Sequence, residues 1–105
     1  MAKYLIHFKV NEAAWPNDPG EVAAIWQAVT AGAQQLLDQR LVEAIYWVGT
    51  TEGYALGEFS SKADVIQLVI PFFPLFNQEV MELTPHAEAT KAIVAGMQMA
   101  ASAGS

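Results

Sequence analysis

The segment Val65 to His86, VIQLVIPFFPLFNQEVMELTPH, constrains the fold more than any other part of the chain. It begins as an apolar run with helical spacing, breaks at Pro71 and Pro74, and resumes with a run typical of a strand. A proline inside a helix removes a backbone hydrogen bond and clashes with the preceding turn. We therefore predict a helix that ends at Pro71 and a strand over Glu79–Leu83.

The first forty residues predict a strand followed by a long helix. Residues Lys3 to Val10 alternate in the period-2 pattern of a half-buried strand. Asp18 then offers a carboxylate at a helix N-cap, with a proline at the first helical position and a glutamate three residues after the cap. Apolar side chains recur at helical spacing from there to about Asp38.

Two further runs typical of strands, Leu41 to Gly49 and Gly53 to Phe59, are separated by a short polar turn. We expect them to form a hairpin in which Gly53 supplies a positive φ. Ser60 or Ser61 is placed to cap the helix that ends at Pro71, and Thr84-Pro85 to open a last, alanine-rich helix.

The predicted order is β-α-β-β-α-β with an extra C-terminal helix. A short connection between the second and third strands, together with two helical crossovers, matches the ferredoxin-like motif. We therefore predict a single α+β domain over residues 1–105. Its sheet should be antiparallel and four-stranded, with the strand order 4-1-3-2.

The two faces of this sheet are predicted to differ in polarity. The helix-facing positions are predicted to be Tyr4, Ile6, Phe8, Val42, Ala44, Tyr46, Val48, Ala55, Gly57, Phe59, Met81 and Leu83. The opposite face is predicted to collect Leu5, His7, Lys9, Glu43, Ile45, Trp47, Tyr54, Leu56, Glu58, Val80 and Glu82. Because this second face is half apolar and monomers seldom leave such a patch bare, we expect a second copy to cover it and close a dimeric α+β barrel.

Three side chains on that second face are the catalytic candidates. His7 lies on the central strand, and Glu58 and Glu82 are predicted to be its neighbours on the adjacent strands. A carboxylate and an imidazole together suit the abstraction and return of a proton. The alternative is structural: His7 would only hydrogen-bond a glutamate at the seam of the barrel.

Four further side chains are predicted to bind substrate. Trp47, Tyr54 and Leu56 would form the walls of the pocket, with the phenol orienting a planar or cyclic ligand. Trp15, in the loop before the first helix, would close the open end of the barrel. The alternatives are packing at the dimer interface for Trp47 and Tyr54 and a hydrophobic staple at the helix start for Trp15.

The two prolines separated by two aromatic residues, followed by Glu79-Val80-Met81-Glu82-Leu83, resemble the corresponding segment of the muconolactone isomerase-like group. Proteins of that group are ferredoxin-like and pair their sheets into dimeric α+β barrels. The resemblance implies a cofactor-independent, isomerase-like enzyme that transfers a proton on a small cyclic or unsaturated acid or lactone. The architecture also occurs in cofactor-free monooxygenases, and a non-catalytic ligand-binding or assembly module is a further alternative.

Composition narrows the classes of partner. Hydrophobic residues make up 53% of the 105 residues and charged residues 15%. The net charge is −6 and the five cations are scattered, whereas nucleic acid binding needs a basic face. We therefore expect no nucleic acid partner. The expected partners are a second copy of the chain and a small hydrophobic or cyclic metabolite, whose carboxylate would need Lys9 or Arg40 at the mouth of the site.

Several kinds of site have no signature in the sequence. There is no cysteine, no HExxH motif, no glycine-rich phosphate loop and no other cofactor fingerprint, so we expect neither a metal nor a cofactor. The longest apolar stretch, Val65–Phe76, is shorter than the roughly 20 residues of a membrane span. The first ten residues lack the pattern of a signal peptide. We therefore expect a cytoplasmic protein without membrane contact.

Overall fold

The computed structural model of the protein describes residues 1–104, so the last residue of the predicted domain lies outside it. The strands are β1 (Ala2–Val10), β2 (Ala44–Val48), β3 (Glu52–Phe59) and β4 (Phe76–Leu83). The helices are α1 (Pro19–Asp38), α2 (Lys62–Val69) and α3 (His86–Ala103), with short 3-10 turns at Glu12–Ala14 and Ile70–Phe72. This is the predicted order of elements, including the extra C-terminal helix.

The helix boundaries follow the local signals in the sequence. The Asp18 carboxylate accepts a hydrogen bond of 3.0 Å from the backbone N–H of Glu21, and the Ser61 hydroxyl accepts one of 3.2 Å from Asp64. Both side chains satisfy a backbone donor that has no partner within its own helix. Helix α2 ends at Val69, and Pro71 lies in the 3-10 turn that follows. The predicted caps and the predicted break are therefore confirmed.

The sheet is antiparallel with the order β2-β3-β1-β4, which is the predicted order read from the other edge. Helices α1 and α2 cover one face. The core on that side combines sheet residues such as Ile6 with Val65 and Val69 of α2, and the Val65 side chain is fully buried. On the opposite face none of the side chains is buried, so the sheet is open on that side.

The predicted faces of β1 and β3 are confirmed, but those of β2 are reversed. Ile45 pairs with Ala55 and Trp47 with Gly53, so Ile45 and Trp47 face the helices, and Tyr46 lies on the open face with 62% of its surface exposed. The strand is continuously apolar from Ala44 to Val48, so its alternation is ambiguous. Val42 is buried but precedes the strand, at a bend, and its orientation does not carry into β2.

The predicted faces of β4 are also reversed, because the strand begins at Phe76 and not at Glu79. Phe76 is buried under the helices, and the inward positions are then Gln78, Val80 and Glu82. Gln78 is held there by its side-chain amide, which donates a hydrogen bond of 3.0 Å to the carbonyl of Val69. Glu79, Met81 and Leu83 consequently lie on the open face, opposite to the prediction for the last two.

The β2-β3 connection uses its glycines differently from the prediction. Gly49 has the positive φ, of 68°, whereas Gly53 lies within β3. A Cβ atom at Gly53 would lie 2.6 Å from Cζ of the Phe8 ring and 2.5 Å from the carbonyl oxygen of Tyr46. The glycine is therefore required by the close approach of a ring and a neighbouring strand.

Helix α3 leaves the rest of the domain and extends it to 66 × 29 × 23 Å. Its 18 residues span about 27 Å, and none of its side chains is buried. Ile93, Val94 and Met97 expose between 49% and 69% of their surfaces. In residues 1–104 no helix has both the length and the apolarity to cross a membrane.

We predict that Gly53→Ala lowers the free energy of unfolding by about 2 kcal/mol or more, because the added methyl group must displace the Phe8 ring or separate two paired strands. Gly96→Ala is the matched control, since nothing lies within 4 Å of a Cβ atom at that position. It should leave the free energy unchanged or raise it by up to about 1 kcal/mol, because alanine is favoured over glycine inside a helix. Urea denaturation measures both values, and equal values for the two variants would contradict the packing argument.

Candidate functional site

A histidine and a carboxylate form a close pair on the open sheet face. Nε2 of His7 lies 2.8 Å from Oε2 of Glu52. His7 belongs to the central strand β1 and Glu52 begins β3, one diagonal step away, since Glu52 is paired with Lys9. Their side chains are 24% and 34% exposed, so the pair is partly shielded from water but accessible.

The pairing assigns different roles to the two nitrogens of the imidazole. An ionised carboxylate only accepts hydrogen bonds, so Nε2–H of His7 donates to Glu52. In the neutral ring the lone pair is then on Nδ1, which has no protein partner among residues 1–104. Glu52 therefore fixes a tautomer in which Nδ1 is free to accept a proton.

Two of the predicted substrate-binding residues lie beside this pair. Tyr54 is directly opposite His7, and its ring packs on the imidazole with centroids 4.8 Å apart and planes inclined by 31°. Leu56 is the next residue on the same face of β3, opposite Leu5. The placement of His7, Tyr54 and Leu56 on one face is confirmed, and their functional roles stay predictions.

The two glutamates predicted to neighbour His7 lie elsewhere. Glu58 is on the open face but is paired with Lys3, four residues along β3 from Tyr54, which is about 13 Å. Glu82 is paired with Tyr4 and lies on the helix side of the sheet, because the two faces of β4 are exchanged relative to the prediction. The expected His7–Glu82 contact is therefore wrong.

Glu82 instead influences a buried phenol. Burial raises the pKa of Tyr4 above its ordinary value of 10.0, and the nearby carboxylates of Glu82 and Asp64 add to the rise because they disfavour a phenolate. The Tyr4 side chain is 5% exposed and packs edge-on against Phe59. Its phenol therefore stays protonated well above neutral pH as part of the core.

Lys9 supplies a positive charge close to His7. It lies two residues further along β1 on the same face, at about 7 Å, and is exposed. Among residues 1–104 no carboxylate lies within ion-pair distance of its ammonium group, although Glu52 is its cross-strand neighbour, whereas Lys3 forms an ion pair with Glu43 at 3.3 Å. Lys9 is thus available to an anionic group that approaches the imidazole.

Trp15 and Trp47 belong to a different part of the molecule, on the helix side of the sheet. The indole N–H of Trp15 donates to the carbonyl of Leu75 at 2.8 Å, and its ring packs on Trp26 with centroids 4.9 Å apart. Trp47 packs edge-on against Phe8 and Trp26. Neither tryptophan faces His7, so the single pocket predicted from the sequence is divided between two surfaces.

The three tryptophans line an open groove of about 670 Å³ beside the end of the sheet. A second, smaller cavity of about 50 Å³ remains in the core between the helices and the sheet, with an almost wholly apolar lining. Among residues 1–104 no three His, Asp or Glu side chains come together as a set of metal ligands. On the open face, His7 and Glu52 form the shortest contact between ionisable side chains, and Glu79 is the residue directly opposite His7 on β4.

Comparison with known proteins gives no identification, since no family model matches this sequence and no curated protein matches it either.

Glu52 was missed because its position in the sequence is typical of a turn. It follows Thr50-Thr51 and precedes Gly53, and only the register of β3 shows that it is a strand residue. A signal was present nonetheless, since Glu52, Tyr54, Leu56 and Glu58 have the period-2 spacing of one strand face. The same spacing, continued from Tyr54 by two residues towards the N-terminus, reaches Glu52.

We predict that a double-mutant cycle with His7→Ala and Glu52→Ala gives a coupling free energy of about 0.5–1 kcal/mol, because the pair is close and partly shielded. The matched control is a cycle with Lys3→Ala and Glu43→Ala, whose longer and more exposed ion pair should couple by less than about 0.5 kcal/mol. Denaturant unfolding of the wild-type protein and the six variants supplies both values. No coupling at His7 would contradict a formed pair.

Proposed function

We propose that two copies of the chain pair through their open sheet faces and that the enclosed space holds a small unsaturated acid or lactone, to and from which His7 transfers a proton. The observation that carries the proposal is the 2.8 Å hydrogen bond between His7 and Glu52 on a sheet face that no helix covers. The resemblance of the proline and aromatic segment to the muconolactone isomerase-like group supports the same class of reaction.

The composition of the open face supports pairing with a second copy. The side chains of Leu5, Leu56, Met81 and Leu83 are all partly exposed, and Tyr46 is largely exposed. They lie side by side across all four strands and form a contiguous apolar surface. Soluble monomers seldom leave such a surface in water, and an identical face is its simplest cover.

Helix α3 supports the same conclusion independently. A helix of 18 residues is marginally stable in water unless an apolar face packs on something. The face with Ile93 and Met97, one turn apart, is largely exposed, at 64% and 69%, and no side chain of α3 is buried. Because α3 begins three residues after Leu83, at the edge of the open face, a second copy on that face is within its reach.

The reaction requires only proton movement. Nδ1 of His7 takes a proton from a carbon next to a carbonyl group or a double bond, and the electron pair released from that C–H bond is delocalised onto the carbonyl oxygen. The resulting imidazolium is stabilised by the carboxylate of Glu52. Delivery of a proton from the imidazolium, which exchanges its N–H hydrogens with water, to a different carbon moves the double bond and restores neutral His7, so no oxidant or reductant is consumed.

The surroundings of His7 define the class of substrate. Lys9 is placed to hold a carboxylate about 7 Å along the strand from the imidazole. Tyr54 and Leu56 offer an aromatic and an aliphatic wall on the other side. This combination suits a small molecule with an anionic end and a flat, unsaturated body. The absence of cysteine from the chain is in keeping with a reducing, cytoplasmic location.

A non-catalytic binding or assembly module is the second candidate. It is favoured by the exposed apolar surface of α3, which indicates assembly whether or not a reaction takes place. A cofactor-free monooxygenase-like reaction on an electron-rich aromatic substrate is the enzymatic alternative. Exchange of substrate hydrogen with solvent separates proton transfer from binding alone, because a module that only binds leaves the C–H bonds of its ligand intact.

We predict that the protein sediments as a dimer at micromolar concentration and that Leu56→Glu shifts it to the monomer, because a carboxylate would be buried between the two faces. Ile66→Glu is the control, since Ile66 is an exposed apolar residue on α2 and should leave the dimer intact. Sedimentation velocity measures both. A monomeric wild-type protein, or dissociation by both variants alike, would contradict pairing through the open face.

We predict that the protein catalyses exchange of solvent deuterium into members of a panel of small unsaturated acids and lactones, followed by NMR in D₂O. His7→Gln should slow this exchange by roughly 10²–10⁴-fold, because it removes the group that carries the proton. Glu21→Gln, an exposed change on α1, should leave the rate unaltered. A dimer that exchanges none of the panel would support the non-catalytic module.

A further inference from the structure

We propose that the groove on the helix side of the sheet is a binding site for a flat, apolar molecule that carries a cationic amine, with its ring against the tryptophans and its ammonium group near Glu12. The groove lies between the end of β1, the β2-β3 turn, the first half of α1 and the loop that precedes it. It is lined by Trp15, Trp26 and Trp47. This site is separate from His7 and does not depend on the proposed reaction.

The aromatic lining provides the apolar part of the site. The indoles follow one another in contact, with ring centroids 4.9 Å apart between Trp15 and Trp26 and 5.8 Å apart between Trp26 and Trp47. Trp47 keeps 39% of its surface exposed although it packs against three aromatic neighbours. The groove volume of about 670 Å³ falls in the range of small-molecule sites, and indole is the side chain that interacts best with an organic cation.

The walls of the groove are held in place before any ligand arrives. The backbone N–H of Val10 donates to the carbonyl of Thr51 at 2.8 Å, which joins β1 to the β2-β3 turn. On the other side the Asn11 side chain donates to the carbonyl of Pro74, and the Trp15 indole donates to that of Leu75. A site whose walls are already ordered loses less conformational entropy when it binds.

Charge selects the class of ligand. Glu12 is the sole ionisable residue in the lining of the groove, and no cation pairs with it among residues 1–104. An anion would meet an uncompensated carboxylate, and the net charge of −6 acts in the same direction. A protonated amine instead gains an ion pair with Glu12 and a cation–π contact with an indole.

The test uses three naphthalene probes of nearly equal size and different charge: 2-naphthylmethylammonium, 2-naphthylmethanol and 2-naphthoate. Calorimetric titration of the full chain should show the ammonium binding about tenfold more tightly than the carboxylate, with the alcohol between them. Glu12→Gln should reduce this ratio to about twofold. Glu88→Gln on α3 removes one acidic residue far along the chain and should leave the ratio unchanged.

A second variant tests the aromatic part of the site. Trp47→Leu should weaken all three probes by a similar factor of up to about tenfold, since the contribution of an aromatic contact is lost whatever the charge of the probe. Circular dichroism establishes that the variant is folded, and the surface change Glu12→Gln remains informative in any case. Failure of all three probes to bind, equal affinity for all, or a charge preference that survives Glu12→Gln would each overturn the proposal.

Discussion

The position of β1 between β3 and β4 is the constraint on which the rest of the structure depends. Because β1 is hydrogen-bonded along both edges, its alternation decides which face of each neighbouring strand meets the helices. Tyr4 and Ile6 enter the core on one side, and Leu5 and His7 emerge on the other. The buried core, the open face and the side of the sheet on which each candidate strand residue lies follow from this register.

The β2-β3 hairpin contributes to both of the surfaces for which a function is proposed. On the helix side it provides Trp47, which forms part of the groove wall. On the open side it provides Glu52 and Tyr54, the two side chains that contact His7. The hairpin thus orients the hydrogen-bonded pair with one strand and contributes to the aromatic surface on the other side with its neighbour. The imidazole is held by a carboxylate and by a ring, so its orientation is determined from two directions.

Much of this arrangement was predictable from the sequence, and the failures have a common cause. The caps at Asp18 and Ser61 depend on neighbours within three residues, and the strand order follows from short connections; both were predicted. In β2 and β4 apolar residues occur on both faces, so the sequence alone does not show which of them face the helices. In β4 the decision is made by Phe76, three residues before the predicted start, because its ring fills the core. Because the faces of β4 are reversed, Glu82 lies away from His7, and the carboxylate that contacts the imidazole is that of Glu52.

Gly53 gives the fold a recognisable mark. The ring of Phe8 occupies the space above its Cα atom, and the backbone of Tyr46 lies against it, so this position is closed to residues with a side chain as long as that ring stays in place. Distant relatives that keep the arrangement are therefore expected to keep a glycine between the acidic residue and the tyrosine of the third strand, with a histidine followed by an aromatic residue in the first. That short combination is a more selective query for such relatives than overall similarity, because it joins two segments that only the folded sheet brings together.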